Sequence, residues 1–291
     1  MKILLTGKNG QVGQELRHAL APLGEIIAYD RSRLDLAVAD SIVAAVRSAS
    51  PEVLINAAGY TAVDQAEREP ELAHAVNALG VAVLAEEAKR AGALLIHYST
   101  DYVFDGVQDW PYVEEDAPNP LNVYGLSKLA GERAIRQIDC AHLILRTSWV
   151  YAERGRNFFL AMRRLLAQER ELRVVSDQIG APTFAGDLAA ATAGLLDAHG
   201  APALGERRGV YHMTASGSTS WHGFATAIAR LEGVDPLARV VPIPSEAYAT
   251  AARRPKNSRL SNEKLLREFG VALPSWEASL AVCHARLAGI R

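Results

Sequence analysis

The 291-residue sequence has little of several features that would restrict its function. Its two cysteines, Cys140 and Cys283, lie far apart and outside any CxxC spacing. This excludes a cysteine-based zinc site and indicates two free thiols in a reducing compartment. The formal net charge is −2, with 31 basic against 33 acidic residues. Such a balance gives no electrostatic reason to expect nucleic acid or an anionic membrane as a partner.

Long apolar runs are also missing. No uninterrupted stretch approaches the roughly 20 residues that a membrane span needs. The apolar run near the N-terminus, Ile3–Leu5, is too short for the hydrophobic region of a signal peptide. We therefore expect a soluble, cytoplasmic protein with no membrane partner.

What the sequence does contain is a regular alternation of strand-like and helix-like segments over its first 150 residues. The predicted strands are Lys2–Thr6, Glu25–Tyr29, Glu52–Asn56, Ala93–Ser99 and Leu143–Thr147, and the predicted helices are Gln11–Leu20, Ser41–Ser48, Glu71–Ala91 and Leu121–Gln137. This pattern predicts an α/β fold, a Rossmann-type doubly wound parallel sheet. We expect residues 1–150 to form a dinucleotide-binding domain to which later segments return.

The alternation becomes less regular after residue 150. Residues 151–291 are predicted to form mainly a smaller, loop-rich lobe that binds substrate. Within it, Gly200–Gly209 is interpreted as an exposed loop and Val240–Pro244 as a proline-punctuated connection.

A glycine-rich turn follows the first strand, with Gly7, Gly10 and Gly13 in a G-x-x-G-x-x-G spacing. Glycines let the backbone approach a pyrophosphate, whose charge then lies at a helix N-terminus. Asp30 ends the second strand, where a carboxylate can bind an adenosine ribose, and Arg31 can hold a 2′-phosphate. The choice between NADH and NADPH stays open, and the alternative is a structural turn followed by a surface aspartate.

Tyr124 and Lys128 lie four residues apart at the start of a predicted helix, so both face one side. The pKa of a free tyrosine is about 10, and a neighbouring ammonium lowers it toward the working range of an acid–base catalyst. Thr100 ends the fourth strand at the carboxyl edge of the sheet, where ligands bind. The alternative interpretation makes Tyr124 and Lys128 part of a solvated helix face, and Thr100 a cap at the strand end.

Together, Gly7–Gly13, Asn56–Gly59 and Tyr124–Lys128 resemble the extended short-chain dehydrogenase/reductase family. A finer resemblance, to its dTDP-4-dehydrorhamnose reductase subgroup, extends over nearly the whole chain. The segments that carry it are Tyr60–Asp64, Tyr98–Phe104, Pro120–Tyr124, Arg146–Tyr151, Asp177–Thr183 and Arg254–Leu260.

The resemblance implies that NADPH or NADH reduces dTDP-4-dehydro-L-rhamnose at C4, within the synthesis of cell-surface polysaccharide. It makes Tyr124 the proton donor, Lys128 its assistant and the holder of the cofactor ribose, and Thr100 a replacement for the family's serine. The further cofactor contacts that it implies are Gln11, Val12, Asp30, Asp35, Leu36, Ala58, Gly59, Tyr60, Thr61 and Tyr98, and the substrate contacts are Asp101, Trp149 and Arg254.

Several of these assignments have alternatives. Trp149 also fits ordinary core packing, and Arg254 belongs to a basic run that either clamps a diphosphate or is solvated. Some relatives bind Mg²⁺ between subunits through glutamates. Glu15 matches one such position but Gly186 stands at another, so Mg²⁺ and a homodimer stay open.

The sequence contains eight histidines. None of the eight histidines has a metal-binding spacing, and we expect packing or surface roles for them. Tyr102 stands where related dehydratases carry an acidic residue, which favours simple reduction. The rival functions are another sugar-nucleotide reductase, an epimerase, and a catalytically silent NADP-binding regulatory subunit.

Overall fold

The computed structural model describes residues 1–168 and 171–289 and is organised around a parallel sheet. Its strands are β1 (Lys2–Thr6), β2 (Glu25–Tyr29), β3 (Val53–Asn56), β4 (Leu94–Thr100), β5 (His142–Thr147), β6 (Val150–Tyr151), β7 (Leu172–Val175), β8 (Ile179–Gly180), β9 (Thr183–Phe184), β10 (Gly209–His212), β11 (Thr219–Ser220) and β12 (Val240–Ile243). The six-stranded sheet has the order β2-β1-β3-β4-β5-β10 with every pair parallel. The predicted fold class is confirmed.

This strand order creates a crevice at the carboxyl edge of the sheet. The chain passes from β1 outward to β2 and then returns to the other side of β1 as β3. Open α/β sheets bind ligands where the strand order reverses in this way.

Helices cover both faces of the sheet. They are α1 (Gln11–Ala19), α2 (Ala39–Ala49), α3 (Val63–Ala66), α4 (Pro70–His74), α5 (Gly80–Ala91), α6 (Val123–Ile138), α7 (Phe158–Gln168), α8 (Ala185–Glu206), α9 (Trp221–Leu231), α10 (Pro236–Arg239), α11 (Glu263–Phe269) and α12 (Trp276–Gly289). Alternate residues of each strand point to opposite faces. Ile3 and Leu5 therefore pack with α1 and α8, whereas Leu4 packs with α2, α5 and α6. No helix within the described residues is long and apolar enough to cross a membrane.

A second hydrophobic core lies under the later segments. It joins α7, α9 and α12 with β7 and β12 around the buried aromatic side chains of Tyr151, Phe159, Phe184 and Phe224. β10 and α8, in contrast, return to the central sheet, where β10 pairs with β5. The chain after residue 150 thus contributes both to the sheet and to a separate lobe beside it.

The predicted helix Glu71–Ala91 is interrupted. α4 ends at His74, a π-helical turn covers Ala75–Leu79, and α5 begins at Gly80. Such turns insert one residue into the helix and often lie at functional sites. Here the turn contains Asn77, whose side chain bonds the backbone of Tyr60 at the crevice.

Two other predictions in the later segments are wrong. α8 extends through much of the predicted loop Gly200–Gly209, with a break at Gly200 (φ 69°). Glycine tolerates this positive φ, and Pro202 lies near the start of the following helical piece, where its missing N–H costs little. The predicted connection Val240–Pro244 contains β12, which pairs with β7. Pro242 is compatible with a strand at an edge.

Candidate active site

A cavity of about 800 Å³ opens at the crevice of the sheet. It brings together most of the residues that the sequence singled out. Those that line it are Gly7, Gly10, Gln11, Val12, Arg31, Asp35, Leu36, Ala58, Gly59, Tyr60, Thr61, Tyr98, Thr100, Asp101, Tyr124, Lys128 and Trp149.

The glycine turn forms one end of the cavity and has no room for side chains. Gly7 has φ +71°, and a Cβ added to it would lie 2.8 Å from the backbone of Ala57. A Cβ on Gly13 would lie 2.1 Å from the carbonyl oxygen of Gly7, so Gly13 serves packing behind the cavity. Gly10 is the N-cap of α1, and the free N–H groups of this helix end suit a pyrophosphate.

The end of β2 carries charges of both signs. Asp30 lies outside the cavity lining; its carboxylate pairs with Lys8 at 3.0 Å and accepts a 2.6 Å bond from the Ser32 hydroxyl. These bonds hold the pKa of Asp30 at about 2, and the bond from the Ser32 hydroxyl has the largest effect. Arg31 is exposed, lines the cavity and pairs with Asp35 at 3.0 Å.

Tyr124 and Lys128 lie one turn apart on α6. Asn122 caps this helix by accepting a 2.8 Å bond from the N–H of Gly125, which fixes the first turn and Tyr124 within it. Burial raises the pKa of Tyr124 to about 12 although a bond to Thr100 opposes this. The prediction of a lowered pKa for Tyr124 is wrong for the protein without ligands, because burial raises it and Lys128 is not among the groups that shift it. Tyr124 is therefore protonated at neutral pH and able to donate a proton.

Lys128 is 5% exposed and is held behind Tyr124. Its Nζ donates a 2.6 Å bond to the carbonyl of Tyr98 and lies 3.2 Å from Nε2 of His97. Burial lowers the pKa of Lys128 to about 8, and the charge of Glu132 acts in the opposite direction.

Thr100 is the last residue of β4, and Asp101 follows it. The Thr100 hydroxyl forms a hydrogen bond with the phenol of Tyr124. The Thr100 hydroxyl donates a 3.1 Å bond to Oδ1 of Asp101, whereas Oδ2 is buried without a hydrogen-bond partner among the described residues. Burial raises the pKa of Asp101 to about 7, with the hydroxyls of Ser258 and Thr100 opposing the rise. The site thus holds a carboxyl group that is partly protonated near neutrality.

Two tryptophans form the wall on the side of the later segments. The rings of Trp149 and Trp221 stack with centroids 3.6 Å apart and planes 7° from parallel, and both line the cavity. Trp149 adopts a φ of +46°, which is uncommon for a bulky residue, and such strain is often found at ligand sites. A Cβ on Gly180 would lie 2.6 Å from the Trp149 ring, so glycine makes room for it.

Besides Gly13 and Asp30, two further predicted residues, Arg254 and Glu15, lie outside the cavity lining. Arg254 binds the carboxylate of Asp64 through both terminal nitrogens, at 2.6 and 3.1 Å, and also interacts with Tyr102. Glu15 is buried and pairs with Arg286 at 2.8 Å and Arg154 at 3.6 Å. The described residues contain no group of three or more His, Cys, Asp or Glu placed to hold a metal ion.

Sequence reasoning missed several contributors to the site, among them Trp221, Arg156 and Asn77. Trp221 and Arg156 line the cavity from the later segments, and Asn77 accepts a 2.8 Å bond from the N–H of Tyr60. None belongs to a motif that was recognised, and only the folded chain brings them to the cavity. Asn77 also donates to the Ser127 hydroxyl at 3.0 Å, which links the π-helical turn to α6.

A parallel sheet whose carboxyl edge combines a glycine turn with a tyrosine–lysine pair defines a class of protein, the Rossmann-type oxidoreductases. Comparisons with known proteins agree. The chain is 48% identical to dTDP-4-dehydrorhamnose reductase of Burkholderia thailandensis over 97% of this chain and 98% of the relative. It is also 48% identical to the Escherichia coli K12 enzyme of that name, over 96% of each chain.

A solved structure is similar over its whole length. The crystal structure of dTDP-4-dehydrorhamnose reductase from Bacillus anthracis in complex with NADP superposes with a TM-score of 0.91 and 36% identity, covering 98% of this chain and all of that one. The model of the RmlD substrate binding domain family matches residues 1–288. The chain belongs to this family, and the resemblance identified from the sequence is confirmed.

Proposed function

We propose that this chain reduces the C4 ketone of dTDP-4-dehydro-L-rhamnose to give dTDP-L-rhamnose. The observation that carries the proposal is one cavity that joins the glycine turn, the Thr100–Tyr124–Lys128 group and the tryptophan wall. The names of relatives 48% identical over nearly the full chain support the substrate, and the predicted enzyme class, an oxidoreductase, is confirmed by them.

The residues of the site would act on the carbonyl group as follows. Tyr124, with a pKa raised to about 12, donates a proton to the C4 oxygen as the carbon is reduced. Thr100 holds the same oxygen by a hydrogen bond, and Lys128 orders the cofactor ribose and supports Tyr124. A reduced nicotinamide, when bound, supplies the hydride.

The cofactor would lie along the edge formed by the first half of the chain, and the sugar nucleotide along the second lobe. Gly10 fits this arrangement because it caps α1 at the cavity, where free N–H groups suit a pyrophosphate. Gly7 and Gly13 keep the turn tight, since a Cβ on either would strike backbone atoms. On the lobe side, the aromatic faces of Trp149 and Trp221 offer a surface for the sugar. We propose this division for residues 1–150 and 151–291, with β10 and α8 belonging to the first.

NADPH is the cofactor that the charges favour. Lys8 already neutralises Asp30, so the carboxylate that would repel a 2′-phosphate is paired, and Arg31 stands exposed beside it. The NADP bound in the Bacillus anthracis relative supports the same choice.

Changing Arg31 to alanine tests this cofactor preference. We expect the KM for NADPH to rise about tenfold or more, because a hydrogen bond to a charged group is lost, while the KM for NADH changes little. Steady-state kinetics with each cofactor, on the same protein preparation, measure both values. An equal change for the two cofactors would mean that Arg31 does not contact the 2′-phosphate.

Mg²⁺ does not fit the residues around Glu15. Two arginines already pair with its carboxylate, so a divalent cation would meet positive charge instead of free oxygen ligands.

The homodimer stays a prediction, which a sedimentation experiment would test. Its contact would not need Glu15. We propose a cytoplasmic location, because Cys140 and Cys283 are both free thiols.

The direct test combines purified protein, NADPH and dTDP-4-dehydro-L-rhamnose. Loss of the reduced nicotinamide absorbance, dependent on the sugar nucleotide, is the expected result. If the protein binds NADPH but the nicotinamide absorbance does not fall over the time of many turnovers, the result would favour the catalytically silent regulatory subunit.

A further inference from the structure

His97 lies behind the catalytic group, in the middle of the sheet. It belongs to β4, is 0% exposed, and contacts side chains on both sides of its ring. On one side is Asn56 at the end of β3, and on the other is Lys128 of α6. The packing role expected from the sequence therefore does not describe this histidine fully.

The neighbours of Asn56 fix the hydrogen-bond roles of the histidine ring. Oδ1 of Asn56 accepts bonds from the hydroxyl of Thr6 at 2.6 Å and from the backbone N–H of Ala58 at 3.2 Å. Because a backbone N–H only donates, the orientation of the amide is set, and Nδ2 of Asn56 donates to Nδ1 of His97 at 3.0 Å. A neutral imidazole that accepts at Nδ1 carries its hydrogen on Nε2.

This Nε2–H group faces Nζ of Lys128 at 3.2 Å. An N–H can donate only to a lone pair, which a neutral amine has and an ammonium lacks. The contact therefore favours the amine form of Lys128. His97 itself stays neutral, because burial and the charge of Lys128 lower its pKa well below the ordinary value.

The other groups around Lys128 define its electrostatic setting. Glu132, one turn further along α6, favours the ammonium, but Arg146 of β5 neutralises this carboxylate with a 2.7 Å ion pair. Tyr98 of β4 presents a backbone carbonyl, and Tyr124 presents a protonated phenol. His97 is thus the neighbour that turns an N–H toward the lysine nitrogen.

We propose that His97 is a positioning residue, whose Nε2–H group holds the Lys128 side chain in place and favours the release of its proton. The proposal rests on the proposed function for the roles of Tyr124 and Lys128.

A titration of Lys128 in the cofactor-free protein tests the proposal. With ¹⁵N,¹³C-labelled lysine and a Lys128→Met variant for assignment, NMR gives the pKa of this side chain directly. We expect His97→Gln to raise it by about one unit or more, since the glutamine oxygen can accept a bond from the ammonium. The matched control is His142→Gln, a buried histidine of β5 that bonds the carbonyl of Cys140 and leaves Lys128 untouched.

An unchanged titration of Lys128 in folded His97→Gln protein would overturn the proposal. The alkaline fall of kcat supplies a second readout: it follows loss of the Lys128 proton and should move to higher pH in His97→Gln but not in the control. If the alkaline fall of kcat occurs at the same pH in His97→Gln as in the unchanged protein, this also contradicts the proposed role of His97.

A measurement on the unchanged protein covers the case in which the variant does not fold. Imidazole ¹⁵N shifts of His97 should show a bare Nδ1 and a protonated Nε2, constant down to about pH 5. The opposite tautomer would overturn the proposal. The NMR experiments need no sugar substrate, so they test the role of His97 separately from the proposed function. A negative NMR result with normal turnover would refute only the role of His97, and absent turnover with the expected NMR result would refute only the proposed function.

Discussion

Changing Tyr124 to phenylalanine is expected to lower kcat by roughly 10²- to 10⁴-fold, the usual contribution of a general acid. The phenol supplies the proton, but the ring packs edge-on against Tyr102 at a centroid distance of 6.2 Å, and phenylalanine preserves that contact. Cofactor affinity should therefore stay within about twofold, because the loss falls on the transition state. Steady-state kinetics and a fluorescence titration with NADPH measure the two quantities.

Tyr151→Phe is the matched control for this change. Tyr151 is a buried tyrosine outside the cavity lining, and its hydroxyl has no hydrogen-bond partner among the described residues. Its removal should leave kcat nearly unchanged. Equal losses of turnover and cofactor binding in Tyr124→Phe would instead assign Tyr124 a structural role.

Changing Arg146 to methionine is expected to cost about 3–5 kcal/mol in the free energy of unfolding. Arg146 and Glu132 are 3% and 2% exposed and form two hydrogen bonds, at 2.9 and 2.7 Å, beneath the active site. Without Arg146, the carboxylate of Glu132 stays buried without its ion-pair partner. Denaturant unfolding with a fixed m-value measures the loss.

An exposed ion pair provides the comparison. Arg208 and Asp139 are 50% and 56% exposed and lie 3.0 Å apart, so Arg208→Met should cost less than about 1 kcal/mol. Adding Glu132→Met to the Arg146 variant should recover much of the loss, because no charge is then stranded. Similar losses for Arg146→Met and Arg208→Met would show that burial does not set the strength of this pair.

The inner strands β1, β3 and β4 were predictable because they are buried on both faces and form largely apolar runs. β1 and β2 have the predicted bounds, and β5 differs by one residue. β10 gave too weak a signal because it has only four residues, which pair with β5 in the folded chain. The π-helical turn at Asn77 arises from packing against α6 and has no local sequence pattern.

The site was predictable where its residues belong to motifs. Gly7, Thr100, Tyr124 and Lys128 follow strands or begin helices, so the fold class alone brings them to one edge. Trp221 begins the distant helix α9 and lies at the site stacked on Trp149. The pKa values were not predictable, because burial, which raises the pKa of Tyr124 and lowers that of Lys128, depends on the completed fold.

The measurement that tests the central claim most directly is the identity of the product. After reduction of dTDP-4-dehydro-L-rhamnose with NADPH, NMR of the purified sugar nucleotide should show dTDP-L-rhamnose, with one C4 proton derived from the cofactor. The C4 epimer, or unreacted ketone in the presence of protein that binds NADPH, would contradict the account.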